Sequence, residues 1–251
     1  MPEPMGTVIV TGGSRGIGAA ISRLAAARGY SVAVNYHSDN SSADALVQEI
    51  HRSGGQGTAI QADIGQERDI LRLFETSDKT LGPLSALVNN AAITGGFARV
   101  DSLEASMLER LMAVNVTGAI LCAREAVRRL STKHGGRGGA IVNLSSRAAQ
   151  LGAPGEWVHY AMTKGAIDTL TIGLAREVAT EGIRVNAVAP GLVDTGLHAA
   201  AGEPGRLARL IPTVPMGRPG TPDEIAEGVL WLLSPAASFV TGSILAMGGG
   251  R

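Results

Sequence analysis

Thr7-Val8-Ile9-Val10-Thr11-Gly12-Gly13-Ser14-Arg15-Gly16-Ile17-Gly18 decides the fold of this chain. The first four residues are all β-branched, as suits a buried strand, and from Ile17 to Arg28 the apolar pattern takes a helical period. Between strand and helix lie glycines spaced T-G-x-x-x-G-x-G. Glycine lets a backbone turn tightly and approach a ligand with no Cβ in the way. The helix that follows turns unpaired N–H groups and its positive dipole end toward the same place, which suits a pyrophosphate. A glycine triplet alone is weak evidence, and this spacing is not the commoner G-x-G-x-x-G; a structural turn is the alternative. The strand before it and the helix after it favour a dinucleotide-binding loop, with Gly12, Ser14, Arg15 and Ile17 as candidate contacts.

The same strand–helix rhythm continues along the chain. Further strands are expected at Ser31–Asn35, Gly57–Gln61, Ala86–Asn89, Ala140–Leu144, Arg184–Ala189 and Ile244–Met247, mostly continuous apolar runs of the kind that both faces of a parallel sheet cover. Helical patterns fall at Ser42–Ser53, Glu67–Leu81, Leu103–Val114, Thr117–Leu130, Val158–Thr180 and Pro222–Leu233. Asp101 with Glu104, and Thr221 with Pro222 and Glu224, have capping-box spacing. The expected fold is therefore α/β: one doubly wound (Rossmann) domain over residues 1–251, with a parallel seven-stranded sheet and helices on both faces. The stretch 191–220, rich in Ala, Gly and Pro, breaks the rhythm just after a strand's C-terminal end and is expected to form a lid.

Composition narrows the function classes. With 45% hydrophobic and 18% charged residues the 251-residue chain can bury a sizeable core. Zero formal net charge and scattered basic residues argue against a nucleic acid or an anionic membrane as partner. The one cysteine, Cys122, sits among Ile120, Leu121 and Ala123 and reads as a buried, inert thiol. Residues 1–6 lack signal-peptide features and no apolar run approaches membrane-spanning length, so a cytoplasmic location is expected.

An acid at the end of the second strand would bind a ribose 2′-hydroxyl and repel a 2′-phosphate. The chain has Val34-Asn35-Tyr36-His37-Ser38 there, and Arg15 could present a permanently charged fork to a phosphate. This favours NADP(H) over NAD(H), with Asn35 and His37 near the choice, although Asp39 stands close and Arg15 could be an ordinary surface charge.

Tyr160-Ala161-Met162-Thr163-Lys164 places a phenol and an ammonium four residues apart, nearly on one helical face. A nearby cation favours phenolate and lowers a pKa that is ordinarily about 10. The spacing alone is common by chance. Ser145 and Ser146 add hydroxyls just after a strand, where doubly wound folds bind ligands, and Asn115 closes a helical pattern as a cap, a hinge or a polar anchor. Together they offer a proton donor, a carbonyl-polarising hydroxyl, a cation and an anchor.

This combination resembles the classical short-chain dehydrogenase/reductase family over essentially the whole chain. The glycine loop Thr11–Gly18, Asn89-Asn90-Ala91-Ala92 in place of N-N-A-G, the Y-x-x-x-K of Tyr160 to Lys164, and Pro190-Gly191 with Thr195 all match. The resemblance implies a catalytic tetrad of Asn115, Ser146, Tyr160 and Lys164. In it Tyr160 gives a proton to a carbonyl oxygen as hydride reaches carbon, Ser146 polarises that oxygen, Lys164 holds the nicotinamide ribose and Asn115 positions a water. It further implies cofactor contacts from Asp63 and Ile64 at the adenine, from Asn90 and Ala91, and from Pro190, Gly191, Val193 and Thr195 beside the nicotinamide. No metal is implied. Two departures stand out: Ala92 replaces a glycine, and one extra residue lies between Ser146 and Tyr160, within Gly155-Glu156-Trp157-Val158, which makes Ser145 a rival for the hydroxyl role.

Substrate is open: a 3-oxoacyl or general carbonyl reductase, a sugar or polyol dehydrogenase, or a non-catalytic NADP(H) sensor. A basic patch for an acyl carrier protein could come from Lys133, His134 and Arg137, with Glu181 against it. Thr94, Arg147, Gly155, Trp157 and Gly191 are expected to line the substrate side. A homotetramer built on the long apolar helix Val158–Thr180 is expected.

Overall fold

Strand β1, Thr7–Val10, is wholly buried, and its side chains divide between two cores. A computed structural model of the protein describes residues 5–196 and 202–251. Val8 and Val10 pack with Ile21, Leu46, Ile225 and Leu230 on one side of the sheet, whereas Ile9 packs with Ile70, Leu73, Phe74 and Leu130 on the other. This alternation is what a strand with a two-residue period must do between two helical layers. Full burial of each large apolar side chain, Phe74 or Leu230 for example, contributes roughly 1.5–3 kcal/mol.

The remaining strands are β2 (Ser31–Tyr36), β3 (Gln56–Gln61), β4 (Leu84–Asn89), β5 (Gly139–Leu144), β6 (Ile183–Pro190) and β7 (Ile244–Met247). They form one seven-stranded sheet in the order β3-β2-β1-β4-β5-β6-β7, and every pairing is parallel. The expected doubly wound fold is thus observed. Because β1 lies between β2 and β4, the chain winds one way and then the other, opening a crevice beyond the strands' C-terminal ends.

Helices α1 (Gly16–Ala27), α2 (Asn40–Arg52), α3 (Glu67–Leu81), α4 (Ala105–Met112), α5 (Ala119–Leu130), α6 (Ala148–Leu151), α7 (Val158–Val178), α8 (Arg206–Leu210) and α9 (Pro222–Leu233) flank the sheet. The Thr221–Glu224 capping box forms as expected: the Thr221 hydroxyl accepts from Glu224 N (3.2 Å), and the Glu224 carboxylate accepts from Thr221 N (2.8 Å). The Asp101–Glu104 box does not. Asp101 lies in a 3₁₀ turn, Val100–Ser102, with its carboxylate on Arg99, and α4 starts at Ala105 without a side-chain cap. The turn moves the N-cap three residues on, from Asp101 to Glu104.

The two expected helices around residue 115 are one continuous run, Ala105–Leu130, with a π turn at Ala113–Gly118 in place of a break. Its length and composition would suffice to cross a membrane, contrary to the sequence expectation, but its inner face, Leu111, Cys122, Ala126 and Leu130, packs within the protein. Cys122 is fully buried, and that burial pushes its thiol pKa well up.

Of the expected lid, residues 197–201 lie outside the described residues. The described parts dock firmly: Val193 bridges Gly220, and Gly191 packs so closely on Gly248 that a Cβ would stand 2.6 Å from its Cα.

Candidate active site

The glycine loop is held open from behind. Gly12 and Gly16 adopt φ of +59° and +52°, the left-handed region that favours glycine, and a Cβ on Gly18 would stand 2.2 Å from the Gly12 carbonyl oxygen. The Asn90 side chain donates to the Thr11 and Gly12 carbonyls, both at 2.9 Å, while the Thr11 hydroxyl accepts from the Asn90 and Ala91 N–H groups. Asn35, fully buried, accepts from Gly12 N (3.0 Å) and donates to the carbonyls of Ile60 and Ala62. Its side chain is therefore committed to bracing the loop rather than offered to a ligand. The result is a close-packed glycine turn, a cradle opening onto the start of α1, whose unpaired N–H groups suit a pyrophosphate.

A cavity of about 730 Å³ runs from this cradle across the sheet edge. Every residue expected to contact the cofactor lines it: Gly12, Ser14, Arg15, Ile17, Asn35, His37, Asp63, Ile64, Asn90, Ala91, Tyr160, Lys164, Pro190, Gly191, Val193 and Thr195. Asp63 is clamped at one end of the cavity, its two carboxylate oxygens each 2.9 Å from an Arg110 nitrogen, and it accepts from Gly65 N. Burial raises its pKa, but these hydrogen bonds and the Arg110 charge outweigh that and hold it below the usual carboxylate value.

Asp39 is the N-cap of α2. Its carboxylate accepts from Ser42 N (3.0 Å) and from the hydroxyls of Ser41 and Ser42, which lower its pKa. The acid that clouded the cofactor reading is thus occupied by its own helix, while Arg15 is exposed at the cavity rim.

At the other end, α7 presents Tyr160 and Lys164 together, both buried. The Ser146 hydroxyl stands close enough to the phenol to lower its pKa, and it accepts from Ala148 N (3.1 Å). Ser145 is turned elsewhere, donating to the Asp168 carboxylate at 2.5 Å. It is Ser146 that stands beside the phenol, and the chain between them makes a tight loop in which Gly152, Ala153 and Gly155 all have positive φ. Ala153, at +45°, is the one non-glycine residue of the described chain to do so.

The Lys164 ammonium donates to the Leu144 carbonyl (2.6 Å) and lies 5.5 Å from the Tyr160 ring centre. The expected lowering of the phenol pKa by Lys164 is not found. Burial pushes Tyr160 up to about 12, against smaller opposing effects of the Ser146 hydrogen bond and the Arg206 charge. Burial likewise pulls Lys164 down to about 8, partly offset by Asp168. Desolvation of both groups outweighs their neighbours.

Asn115 sits in the π turn behind the cavity wall. Its side chain accepts from Ile93 N (2.9 Å) and donates to the Ile93 carbonyl (2.8 Å) and the Thr163 hydroxyl (3.1 Å), tying the loop after β4 to the helix of Tyr160. Thr94, also expected to line the site, is buried in that same loop and does not line the cavity.

Trp157 and Arg147 line the cavity as expected, whereas Glu156, Arg206, Arg209 and Arg251 were not expected. Glu156 in the loop before α7 forms ion pairs with Arg206 (2.8 Å) and Arg209 (2.6 Å). The Arg206 guanidinium lies 4.1 Å from the Trp157 ring centre, and Trp157 in turn meets Tyr160 edge-on at 5.8 Å. Arg147 and Arg251 complete that end of the cavity. The basic patch expected of Lys133, His134 and Arg137 is not at the mouth: these residues precede β5, at the sheet edge opposite the cavity, and Lys133 is paired with Glu181 at 2.7 Å. Among the described residues no cluster of potential metal ligands occurs.

Residues 12–251 match the family described as enoyl-(acyl carrier protein) reductase. The chain is 50% identical over 247 residues to the uncharacterized oxidoreductase YgfF of Escherichia coli (strain K12), covering 98% of this chain and all of that one. It is 36% identical to glucose 1-dehydrogenase 2 of Bacillus subtilis (strain 168), over 97% of this chain and 93% of the other. A short-chain dehydrogenase from Burkholderia cenocepacia J2315, solved in complex with NADP, superposes with a TM-score of 0.91 at 32% identity, covering 98% of both chains. Fold, cradle, phenol–ammonium pair and sequence agree, and the chain belongs to the short-chain dehydrogenase/reductase family of oxidoreductase enzymes.

Proposed function

We propose that the protein transfers hydride between NADP(H) and a small carbonyl or alcohol, with Tyr160 moving the proton. The observation that carries this reading is the buried Tyr160 phenol, with the Ser146 hydroxyl and the Lys164 ammonium beside it, in the same cavity as the glycine cradle. NADP(H) supplies the hydride when bound. The cradle from Gly12 to Ile17 would hold its pyrophosphate, Asp63 and Ile64 would flank its adenine, and Pro190 to Thr195 would close over its nicotinamide. Arg15 and the preoccupied Asp39 favour the 2′-phosphate. A relative solved with NADP supports the same choice.

In the reducing direction Tyr160, kept protonated by burial, gives its proton to the carbonyl oxygen, and Ser146 donates a hydrogen bond to that oxygen. Lys164, buried and held on Leu144, would meet the nicotinamide ribose. Asn115 positions the loop after β4 rather than touching the reacting atoms.

A general carbonyl reductase is the leading reading. The basic residues considered for a carrier protein lie at the far edge of the sheet, which weighs against carrier delivery. The likeness to a glucose dehydrogenase keeps polyol oxidation as the second reading. Exposed apolar residues on the run 105–130 and on α7 (Met112, Ile120, Met162 and Ile172) support assembly into a homotetramer through these helices, and the free buried thiol suits a cytoplasmic setting.

The test is Tyr160→Phe, with NADPH oxidation followed against ketoesters and NADP reduction against sugars. Turnover should fall at least about 100-fold while NADPH binding persists. Undiminished turnover refutes the assignment, and preserved biological function without turnover would point to a sensor.

A further inference from the structure

The substrate end of the cavity is strongly cationic. Arg147, Arg206 and Arg251 all line it, on three separate parts of the chain: after β5, in the lid and after β7. Glu156 pairs with Arg206 and is shared with Arg209. Arg147 donates through Nε to the main-chain oxygen of Arg251 (2.7 Å) and through Nη1 to Gln150 (3.0 Å), which orients it behind the other two. The Arg251 guanidinium, partly buried, makes no ion pair or hydrogen bond among the described residues. Burial, and then the like charge of Arg206, lower its pKa. Guanidinium groups do not deprotonate to relieve such crowding, so the charge persists beside the reacting end of the cavity. Arg206 is close enough to Tyr160 for its charge to be felt at the phenol. Such a concentration of fixed, desolvated positive charge favours an anion and disfavours a neutral ligand of the same shape.

We propose that the substrate is a carbonyl compound whose far end carries a carboxylate, held between Arg206 and Arg251 with Arg147 behind them. This rests on the hydride-transfer reading for its reaction, but not for its binding. Trp157, its ring centre 4.1 Å from the Arg206 guanidinium, reports on the same place.

Two measurements test it. The first compares 3-oxobutanoate, 4-oxopentanoate and 5-oxohexanoate with their methyl esters in NADPH oxidation. For at least one chain length the acid should exceed its ester in kcat/KM by about tenfold or more, as a charge-assisted contact warrants. Arg251→Gln should bring that ratio within about twofold of unity and Arg251→Lys should retain most of it. Esters that match their acids at every length, or a ratio unmoved by Arg251→Gln, overturn the proposal.

The second measurement needs no turnover. In Trp231→Phe protein, Trp157 is the one remaining indole. Hexanoate should change its emission saturably, hexanamide should not, and adding Arg251→Gln should abolish the response. This holds in a Tyr160→Phe background too, so failure of the chemistry and failure of the anion site are separately visible. If Arg251→Gln does not fold, equal responses to hexanoate and hexanamide in the parent still refute the site.

Discussion

Exchanging Lys164 for Met should remove a pH-dependent handicap built into the fold. Lys164 is 4% exposed, and its pKa falls from 10.5 to about 8, chiefly through burial. Between those values the unfolded chain binds a proton that the folded protein does not, so this group makes stability rise with pH from about 8 to 10.5. At 1.36 kcal/mol per unit, the buried ammonium costs about 3 kcal/mol at pH 7, falling to about 1 kcal/mol by pH 10. The Met variant lacks this dependence. It leaves the Leu144 carbonyl without its donor, a loss of about 1–3 kcal/mol that does not vary with pH. The absolute difference at pH 7 is therefore small, and the slope is the signature. Relative to the variant, wild type should gain about 2 kcal/mol between pH 7 and 10, a relative shift of about 4–8 °C in Tm for a chain of this size. Tyr160, raised to about 12, acts in the opposite sense above pH 10, but it is present in both proteins and largely cancels below that. Denaturant unfolding of both proteins at pH 7, 8, 9 and 10 measures the slope, and parallel curves refute the argument.

Thr221→Ala removes a complete capping box from α9 and should cost about 1 kcal/mol, read as a lower urea midpoint with unchanged m. Gly18→Ala forces a Cβ onto the Gly12 carbonyl at 2.2 Å, so NADPH affinity measured by nicotinamide fluorescence should fall at least about tenfold even in protein that still folds. Arg15→Ala should reduce the ratio of kcat/KM for NADPH over NADH by about tenfold, mainly through KM for NADPH; an unchanged ratio means another group reads the 2′-phosphate.

The parts of this molecule that depend on neighbours in sequence were legible in it. Thr7–Val10 and the glycines after it specify strand, turn and cradle within twelve residues, and Tyr160 and Lys164 need only one turn of α7 to share a site. The strand runs were found for the same reason, since burial on both faces leaves a continuous apolar signature. Long-range consequences were not. Glu156 and Arg206 are fifty residues apart and meet only because the lid returns over the loop before α7. The Lys133 patch reads as basic in any arrangement, and only the sheet's direction shows that it lies at the wrong edge. The lysine's influence on the phenol was inferred from spacing, whereas desolvation depends on everything packed around the pair. Asp101 followed a valid local rule that a competing 3₁₀ turn overrode, and the π turn at Asn115 has no periodic signal of its own.

The capping role of Asp39 places a restriction on how this enzyme could change allegiance between cofactors. The position nearest the end of β2 that already carries an acid cannot swing to a ribose without releasing Ser42 and the first turn of α2. A lineage drifting toward NAD(H) through Asp39 would loosen a helix at each step toward the new ligand. Tyr36 is also tied to that helix start, its hydroxyl donating to Asn40 at the first position of α2, which leaves His37 as the position where selectivity can evolve without that penalty.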